Sequence, residues 1–362
     1  MINIKNKYKI IISCILICLF GLLMVYSSST IWAEYKFNDS LYYFKHQGLF
    51  FFVGLIAMYI VSKIDYRLYL KYSNKILLLS FILLVLVLIP GIGQVRNGSR
   101  SWFGIGSFGF QPSEVAKLSL IIFVSKYLSN NEKEVKSIKK GVLPILIIIF
   151  LFFGLIMLEP DFGTGMVIVA TLFIMLFASN IKLSFFGYLI VLGIGGIVGL
   201  IIMAPYRMAR IISFINPWTD PLGSGFQIIQ SLYAISPSGL FGRGLGNSIQ
   251  KHFYLPEPQT DFIFAIISEE LGILGIVILA ILFLVLFSSS LKVSLVSKDL
   301  FGKYLSFGLI IGIMLQTFLN ICVVIGLVPV TGVTLPFISY GGSSLLVSMV
   351  SVGIILNISN EK

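Results

Sequence analysis

Long runs of apolar residues, separated by short polar segments, fill this chain from end to end. A helix that crosses a bilayer needs roughly 20 mostly apolar residues, and about ten runs approach that length. These candidate spans are residues 8–28, 46–63, 73–90, 113–128, 141–158, 162–179, 182–203, 261–287, 303–325 and 334–357. The pattern predicts an all-α polytopic membrane protein with about ten transmembrane helices, in which residues 1–362 form a single integral membrane domain.

The longest segment between spans, residues 204–260, forms a large predicted outer loop between transmembrane helices 7 and 8. It is rich in Pro, Gly and aromatic residues, and its apolar patches "IISFI" and "FQIIQSLYAI" are too short to span a bilayer. We expect these patches to lie in or against the membrane interface. Loops longer than ~15 residues are usually functional, so this loop is a candidate lid over a lipid-facing cavity.

Composition and charge agree with a membrane protein, because 57% of the residues are hydrophobic and only 11% are charged. An ordinary soluble globule needs a more polar surface. Of the 26 basic residues, 17 fall on the side of the spans that holds the N-terminus: Lys5, Lys7, Lys9, Lys63, Arg67, Lys71, Lys75, Lys126, Lys133, Lys136, Lys139, Lys140, Lys182, Lys292, Lys298, Lys303 and Lys362. The positive-inside rule therefore predicts that both termini are cytoplasmic. This bias and attraction to anionic lipids account for the net charge of +11, so no nucleic-acid partner is expected.

Cysteine and histidine do not indicate a disulfide framework or a zinc site. Cys14, Cys18 and Cys322 all lie within predicted spans, and His46 and His252 have no second His one helical turn away. The sequence also has no Walker motif and no GxGxxG motif in a nucleotide-binding context, which argues against ATP-driven transport by this chain alone.

A glycine-rich segment at residues 95–120, "VRNGSRSWFGIGSFGFQPSEVAKLSL", presents Arg96, Arg100 and Trp102 just above a predicted helix. Ionisable residues beside a span are costly and mark a candidate site. Trp102 has two interpretations, an aromatic anchor at the bilayer edge or a platform that stacks on a sugar ring.

The helix below this segment is predicted to begin near Pro112, with Ser113 as its cap. Glu114 and Lys117 are three residues apart and therefore share a helix face. The two charges either neutralise each other or help to bind a diphosphate or another anionic headgroup, since a helix N-terminus and two nearby Arg residues attract anions.

The segment "YLPEPQTDFIFAIISEELG" places Glu257 and Asp261 at the mouth of an apolar helix. Thr260 or Asp261 could cap this helix. Alternatively, Asp261 is a general base: partial burial would raise the pKa of its carboxyl toward the range of a base, while a neighbouring Arg or metal would lower it.

Glu269 and Glu270 lie deeper in the same predicted helix. At about 1.5 Å and 100° per residue, Glu269 would be roughly 12 Å from Asp261 along the axis, and Glu270 would face the opposite side. We therefore expect at least one of them to be a structural hydrogen-bonding partner between helices.

Two further segments, "EPDFGTG" and "LPFISYGGSS", add Glu159 and Asp161 and glycine-rich helix starts on the same predicted face. Gly341 and Gly342 permit a close approach of the backbone to a neighbouring helix or to a ligand.

Five motifs in this order, "RNGSRSWF", "QPSE", "EPDFGTG", "GLFGRGLGNSIQKHFYLPEPQTDFIFAIISEELG" and "LPFISYGGSS", resemble the SEDS family (shape, elongation, division and sporulation) over almost the whole chain. The segments "GLLMVYSSS" and "GNSIQKHFYLPEPQTDFIFAI" are more similar to the division and sporulation branch (FtsW and SpoVE) than to the elongation branch (RodA).

The resemblance implies a peptidoglycan glycosyltransferase that polymerises lipid II at the outer face of the cytoplasmic membrane and releases undecaprenyl diphosphate. It also implies a class B penicillin-binding protein as partner. The family's essential aspartate matches Asp261, whose expected role is to activate the 4-hydroxyl of the acceptor sugar.

Cationic groups are expected to stabilise the leaving diphosphate. Arg96, Arg100 and Lys117 are the candidates, together with a divalent cation, Mg²⁺ or Mn²⁺, whose ligands the sequence does not identify. The remaining candidate substrate-binding residues are Trp102, Glu114 and Glu257.

Two other functions fit a protein of this kind: a lipid II flippase, and a noncatalytic scaffold that activates the penicillin-binding protein. A transporter tends to show internal repeats with a site near the midplane. Here no clear repeat is seen and the motifs gather on one face, which favours an enzyme.

Overall fold

A computed structural model describes residues 4–96, 98–105, 108–179, 181, 183–202 and 205–360. The predictions that involve Asn97, Gly106, Ser107, Lys182, Met203, Ala204 and Lys362 lie outside the described residues. The helices are α1 (Ile4–Phe37), α2 (Tyr42–Lys63), α3 (Arg67–Leu88), α4 (Pro112–Asn130), α5 (Leu143–Leu158), α6 (Phe162–Phe177), α7 (Leu183–Ile202), α8 (Pro205–Ile215), α9 (Phe226–Ile235), α10 (Ile263–Val296), α11 (Leu300–Val324) and α12 (Gly342–Ile358).

Each of the ten predicted spans overlaps one of the helices α1–α7 and α10–α12, which confirms the helical class. Among the described residues, six helices are long and apolar enough to cross a membrane, namely α1, α2, α3, α5 with its preceding turn, α10 and α11. A bilayer offers no partners for backbone polar groups, so such apolar runs must be helical to satisfy their own hydrogen bonds. The count of ten crossings stays a prediction.

One predicted span begins too early, and another is interrupted by a kink. The last span was expected from residue 334, but α12 begins at Gly342. The intervening residues form a separate turn, in which the backbone N–H of Ser339 donates to the carbonyl of Leu335 at 3.0 Å, and the next N–H, of Tyr340, donates to the carbonyl of Gln259 at 2.8 Å. In α10, the backbone leaves helical geometry at Gly272, so the element consists of two helical parts joined at a kink.

The glycine-rich segment between α3 and α4 forms a small antiparallel sheet within this otherwise helical fold. Its strands are β1 (Gln94–Arg96), β2 (Ser99–Ile105) and β3 (Phe108–Phe110), in the order β1-β2-β3. Gln94 lies opposite Trp102, and Phe103 lies opposite Phe110. Sheet pairing satisfies the backbone of a segment that is too polar to enter the bilayer.

The long segment after α7 contains two helices: the patch "IISFI" falls in α8 and the patch "FQIIQSLYAI" forms α9. Ile212 and Ile215 of α8 are exposed. The face of α9 that carries Ile228 and Ala234 is buried, and its Ser231 hydroxyl donates to the Val324 carbonyl at 2.6 Å. This segment therefore packs on the bundle through α9 and leaves apolar side chains of α8 uncovered.

The centre of the bundle is α11, which packs against α4, α6, α10 and α12. Helices approach closely where side chains are small: a Cβ at Gly342 would lie 2.4 Å from the ring of Phe50 in α2. This contact supports helix packing as the role of Gly342. Some polar residues inside the bundle pair across helices, as in the 2.6 Å contact between the hydroxyls of Ser80 and Ser119.

The bundle has two distinct ends. At one end the start of α1 meets the residues that follow α12, because the ammonium of Lys7 donates to the side-chain oxygen of Asn360. The hydroxyl of Tyr66 donates to Asp299 at 2.5 Å in the same region, and Tyr66 also bonds Asn357 near the end of α12. At the other end lie the sheet, the α5–α6 turn and the segments that precede α10 and α12.

Candidate active site

The segment before α10 holds Asp261 half-buried at the mouth of the bundle. The hydroxyl of Thr260 donates to Asp261 Oδ1 at 3.0 Å and to the carbonyl of Glu257 at 2.7 Å. Asn320 of α11 donates to the backbone carbonyl of Asp261 at 2.7 Å. The N-cap of α10 is Phe262, so the interpretation of Thr260 or Asp261 as a plain helix cap is wrong.

Burial raises the pKa of the Asp261 carboxyl above its ordinary value, and the nearby carboxylate of Glu257 raises it further. The hydrogen bond from Thr260 and the charge of Arg210 act in the opposite direction. The first two effects prevail, so Asp261 is a stronger base than an aspartate in water. Glu257 itself has a left-handed backbone conformation, with φ of 42°.

Glu114 and Lys117 form a buried ion pair near the start of α4, with 2.7 Å between Lys117 Nζ and Glu114 Oε2. The ammonium of Lys117 also donates to Gln316 Oε1 of α11 at 2.7 Å. The structure thus confirms that the two charges contact each other. An anion-binding role for the pair stays a prediction.

Asp161 connects the start of α4 to the start of α6. It is the N-cap of α6, where the backbone N–H of Thr164 donates to Oδ1 at 3.2 Å. Gln111 and Ser113 donate to Oδ2 at 2.8 and 3.4 Å. The N-cap of α4 is Gln111, so the prediction that Ser113 caps this helix is wrong: its hydroxyl binds Asp161 instead.

Glu159 is fully buried beside Asp161 in the turn between α5 and α6. Neither oxygen of its carboxyl has a hydrogen-bond partner among the described residues. Burial and the charge of Asp161 raise the pKa of Glu159 to about 9. The hydroxyl of Ser99 in β2 donates to the backbone carbonyl of Glu159, which attaches the sheet to this turn.

The sheet carries the two predicted arginines in different environments. The guanidinium of Arg96 lies over the ring of Trp102, 5.2 Å from its centroid, and donates to Gln94 Oε1 at 3.1 Å. Arg100 turns toward the end of α3, where it contacts the carbonyl of Leu88 at 3.4 Å. Trp102 therefore supports Arg96; its interpretations as a membrane anchor and as a sugar platform stay predictions.

Glu269 and Glu270 both bind the loop that precedes the Asp261 segment. Glu269 accepts from the Ser248 hydroxyl at 2.5 Å and from the backbone of Ile249 at 2.9 Å. Glu270 accepts from Lys251 Nζ at 3.0 Å and from the hydroxyl of Ser27 in α1 at 2.5 Å. The expectation of a structural partner between helices is confirmed for Glu270, which joins α1 to α10.

Sequence reasoning missed two amides on α11, Gln316 and Asn320. Each contacts a predicted site residue, and both are buried. They are four residues apart in a mostly apolar span. Polar side chains inside a span usually face a partner, and this spacing could have indicated them.

The described residues contain no group of three His, Cys, Asp or Glu side chains placed to hold a metal ion. A divalent cation at this end of the bundle would therefore need ligands from a substrate as well as from the protein. Mg²⁺ is commonly held in that way, by one or two carboxylates and substrate phosphates.

These features define a class of protein: a multi-pass helical membrane protein that gathers ionisable side chains at one end of its bundle. A family model described as cell cycle protein, covering FtsW, RodA and SpoVE, matches residues 8–362. The chain belongs to this family, which confirms the resemblance found in the motifs.

Two relatives illustrate the similarity. Stage V sporulation protein E of Bacillus subtilis (strain 168) is 52% identical over 350 residues, which cover 97% of this chain and 96% of that protein. A protein of Geobacter sp. (strain M18), named probable peptidoglycan glycosyltransferase FtsW, is 39% identical over 352 residues, which cover 97% of this chain and 96% of that protein.

Solved structures share the fold. A chain of a peptidoglycan synthase complex, studied for the coordination of polymerization and crosslinking, matches with a TM-score of 0.78 and 26% identity over 97% of both chains. The rod shape determining protein RodA of Thermus thermophilus matches with a TM-score of 0.71 and 24% identity, over 97% of this chain and 95% of that chain.

Proposed function

We propose that this chain is a peptidoglycan glycosyltransferase that polymerises lipid II into glycan strands and releases undecaprenyl diphosphate. Relatives along nearly the whole chain are named as probable enzymes of this kind. The observation that carries the proposal is the state of Asp261: a half-buried carboxyl with a raised pKa, not used as a helix cap, at the mouth of an apolar bundle.

In the reaction, Asp261 takes the proton of the acceptor sugar's 4-hydroxyl. The hydroxyl oxygen forms a bond to the anomeric carbon of the donor as the bond from that carbon to the diphosphate breaks. The proton remains on Asp261, and the diphosphate leaves as a stable anion. A hydroxyl is a poor nucleophile until a positioned base removes its proton, so the base is the essential protein group.

Lys117, Arg96 and Arg100 supply positive charge for the leaving diphosphate, with Trp102, Glu114 and Glu257 as neighbouring substrate-binding groups. Glu114 pairs with the ammonium of Lys117 inside the protein, at 2.7 Å. This assignment requires the diphosphate to approach the start of α4, where the sheet, the α5–α6 turn and α11 meet.

A divalent cation, Mg²⁺ or Mn²⁺, fits the donor set at the α5–α6 turn. The carboxyl oxygens of Glu159 are buried without a hydrogen-bond partner among the described residues, next to Asp161. Glu159 and Asp161 are the groups that would hold the ion, with substrate phosphates completing its coordination. When bound, the ion would neutralise charge on the diphosphate.

The same proposal places the protein in the cytoplasmic membrane of a bacterium, with both termini in the cytoplasm and the active site at the outer face. The basic residues near the termini support this orientation. A class B penicillin-binding protein is the proposed partner, because a chain of similar fold belongs to a peptidoglycan synthase complex.

The test is lipid II polymerisation by purified protein, alone and with its cognate penicillin-binding protein, with and without Mg²⁺ or Mn²⁺. We expect glycan strands from the parent and a loss of about 10²–10⁴-fold for Asp261→Asn, which keeps the size and removes the base. Asp220→Asn is the matched control: this exposed aspartate of the same outer segment bonds Ser224, and we expect parental activity.

Normal polymerisation by Asp261→Asn would refute the role of this residue. If the partnered parent makes no glycan but moves lipid II across liposomes, the protein is a flippase. If it does neither and yet stimulates crosslinking by the penicillin-binding protein, it is a noncatalytic scaffold.

A further inference from the structure

Two buried amides lie one helical turn apart on α11. They contact the two parts of the candidate site, namely the segment that carries Asp261 and the start of α4, which carries Lys117. Gln316 and Asn320 are 3% and 1% exposed, so water does not satisfy their polar groups. Buried amide groups are usually hydrogen-bonded within the protein, so their partners are informative. Both polar atoms of Gln316 and the side-chain nitrogen of Asn320 have partners, whereas Asn320 Oδ1 has none among the described residues.

Asn320 connects the segment that carries Asp261, called the base segment below, to the chain that follows α11. Its side-chain nitrogen donates to the carbonyl of Asp261 at 2.7 Å and to the carbonyl of Val333 at 2.8 Å. Both N–H bonds of one planar amide are used, so the two carbonyls are held at a fixed separation.

Gln316 connects the same chain, after α11, to Lys117 of α4. Its side-chain oxygen accepts from the ammonium of Lys117 at 2.7 Å, and its nitrogen donates to the carbonyl of Thr334 at 3.1 Å. Val333 and Thr334 are consecutive residues. Each amide thus binds one of two adjacent carbonyls and one group of the candidate site.

The chain beyond Thr334 also bonds both the base segment and the start of α4. The backbone N–H of Tyr340 donates to the carbonyl of Gln259, two residues before Asp261. The backbone N–H of Gln111, at the N-cap of α4, donates to the Ser343 hydroxyl at 3.3 Å. Residues 333–343 therefore bridge the base segment and the helix that carries Lys117.

We propose that Gln316 and Asn320 are positioning residues. They fix the separation of the Asp261 carboxylate and the Lys117 ammonium through the carbonyls of Val333 and Thr334. This inference rests on the proposed glycosyltransferase function. The base must reach the attacking hydroxyl while the cation reaches the leaving diphosphate. These groups lie on opposite sides of the reacting carbon, so their separation matters for the rate.

The two amides should affect different kinetic constants. Asn320 acts on the base, which is needed only as the bond forms, so its loss should lower kcat and leave KM for lipid II nearly unchanged. Gln316 acts on a cation that contacts the diphosphate before and during the reaction, so its loss should also raise KM. A misplacement of about 1 Å can cost about 10²-fold in rate.

The experiment measures kcat and KM for lipid II with the full chain and its partner, for Asn320→Leu, Gln316→Met, Gln316→Glu and Thr317→Val. Thr317 is the matched control, because it is buried on the same helix but its hydroxyl bonds only the Ile313 carbonyl of that helix among the described residues. We expect Asn320→Leu to lower kcat by 10- to 100-fold with KM within threefold of the parent. Gln316→Glu, which can still accept from Lys117, should retain more activity than Gln316→Met.

Several results would overturn the inference: a folded Asn320→Leu with parental kcat, a parallel change in kcat and KM for both amide variants, or losses as large in Thr317→Val. If Asn320→Leu does not fold, Asn320→Ser provides the same comparison. Failure of both to fold while Thr317→Val folds would make Asn320 a structural residue. A parent that makes no glycan with its partner would instead refute the proposed function, so the two failures are distinguishable.

Discussion

Two side chains of opposite charge, Glu257 and Arg210, affect the pKa of the Asp261 carboxyl. Its burial raises its pKa most strongly, Glu257 adds to that effect, and Arg210 opposes it. A carboxyl with a raised pKa takes up its proton at a higher pH than an ordinary aspartate. Since a general base works only when deprotonated, activity should fall as the pH drops through this raised pKa.

The pH dependence of kcat should show an acid limb, the range in which activity falls as Asp261 takes up its proton. Substitutions of Glu257 and Arg210 should move this limb in opposite directions. Glu257→Gln removes a charge that raises the pKa of Asp261, so the limb should shift to lower pH. Arg210→Gln removes a charge that lowers this pKa, so the limb should shift to higher pH. The measurement is the pH dependence of kcat at saturating lipid II, with Asp220→Asn as the unshifted control. Shifts in the same direction would contradict the electrostatic explanation.

At the scale of elements, the loop at residues 239–251 is attached to the first part of α10 at several points. The backbone N–H groups of Arg243 and Gly244 donate to the carbonyls of Glu269 and Glu270 at 2.8 and 2.9 Å. The two Glu side chains bind the same loop, and the kink in α10 frees the carbonyls for it. The loop that leads to Asp261 is thus held to α10 by both backbone and side-chain hydrogen bonds.

Lys251 and Glu270 form a buried ion pair whose side chains are 5% and 0% exposed. Lys251→Met should cost about 3–5 kcal/mol of stability, because it leaves the carboxylate of Glu270 buried without a counter-charge. The double variant Lys251→Met/Glu270→Gln should be more stable than the single one, since no net charge remains. Melting in detergent measures both, and a double variant less stable than Lys251→Met would refute this explanation.

Gly272 has φ of 63° and ψ of −159°, a region that is essentially restricted to glycine. A Cβ there would lie 2.4 Å from the backbone nitrogen of Gly242. Gly272→Ala should therefore lower the melting temperature and detach the loop, at a cost of at least about 1–3 kcal/mol. Gly154→Ala in α5 is the control, because a Cβ there meets no described atom within 4 Å. Equal melting temperatures for the two variants would show that the kink is not required.

At the scale of the whole molecule, the two ends of the helix bundle carry different charged residues. Among the described residues, the end where Lys7 meets Asn360 also carries most of the basic residues. The opposite end carries the sheet, the buried acids and the Asp261 segment. This separation gives the proposed orientation a direct test by chemical labelling.

A membrane-impermeant maleimide should label Leu222→Cys in intact, right-side-out cells and should label Lys133→Cys only after the membrane is opened. Leu222 is 88% exposed in the outer segment, and Lys133 is exposed in the connection between α4 and α5. The native residues Cys14, Cys18 and Cys322 are buried, so the background should be low. Labelling of Lys133→Cys in intact cells would reverse the proposed orientation.

Several features of this protein are encoded locally and could be predicted from the sequence. Apolar runs of bilayer length predict helices because a backbone in lipid must bond to itself, and each predicted span overlaps a helix. The motifs around Asp261 and Lys117 identified the family before any geometry was known. The count of ten crossings and the roles of the site residues stay predictions.

Long-range contacts were decided only by the tertiary structure. Asp161 receives bonds from Gln111 and Ser113, about 50 residues earlier, and Asn320 reaches Asp261 across 59 residues. The kink at Gly272 and the pairing of the glycine-rich strands depend on partners that a local pattern does not contain. A sequence determines which segments must be helical and which residues are costly to bury. Which of those residues meet is determined by packing, since the partners of a buried polar group can lie on elements that are distant along the chain.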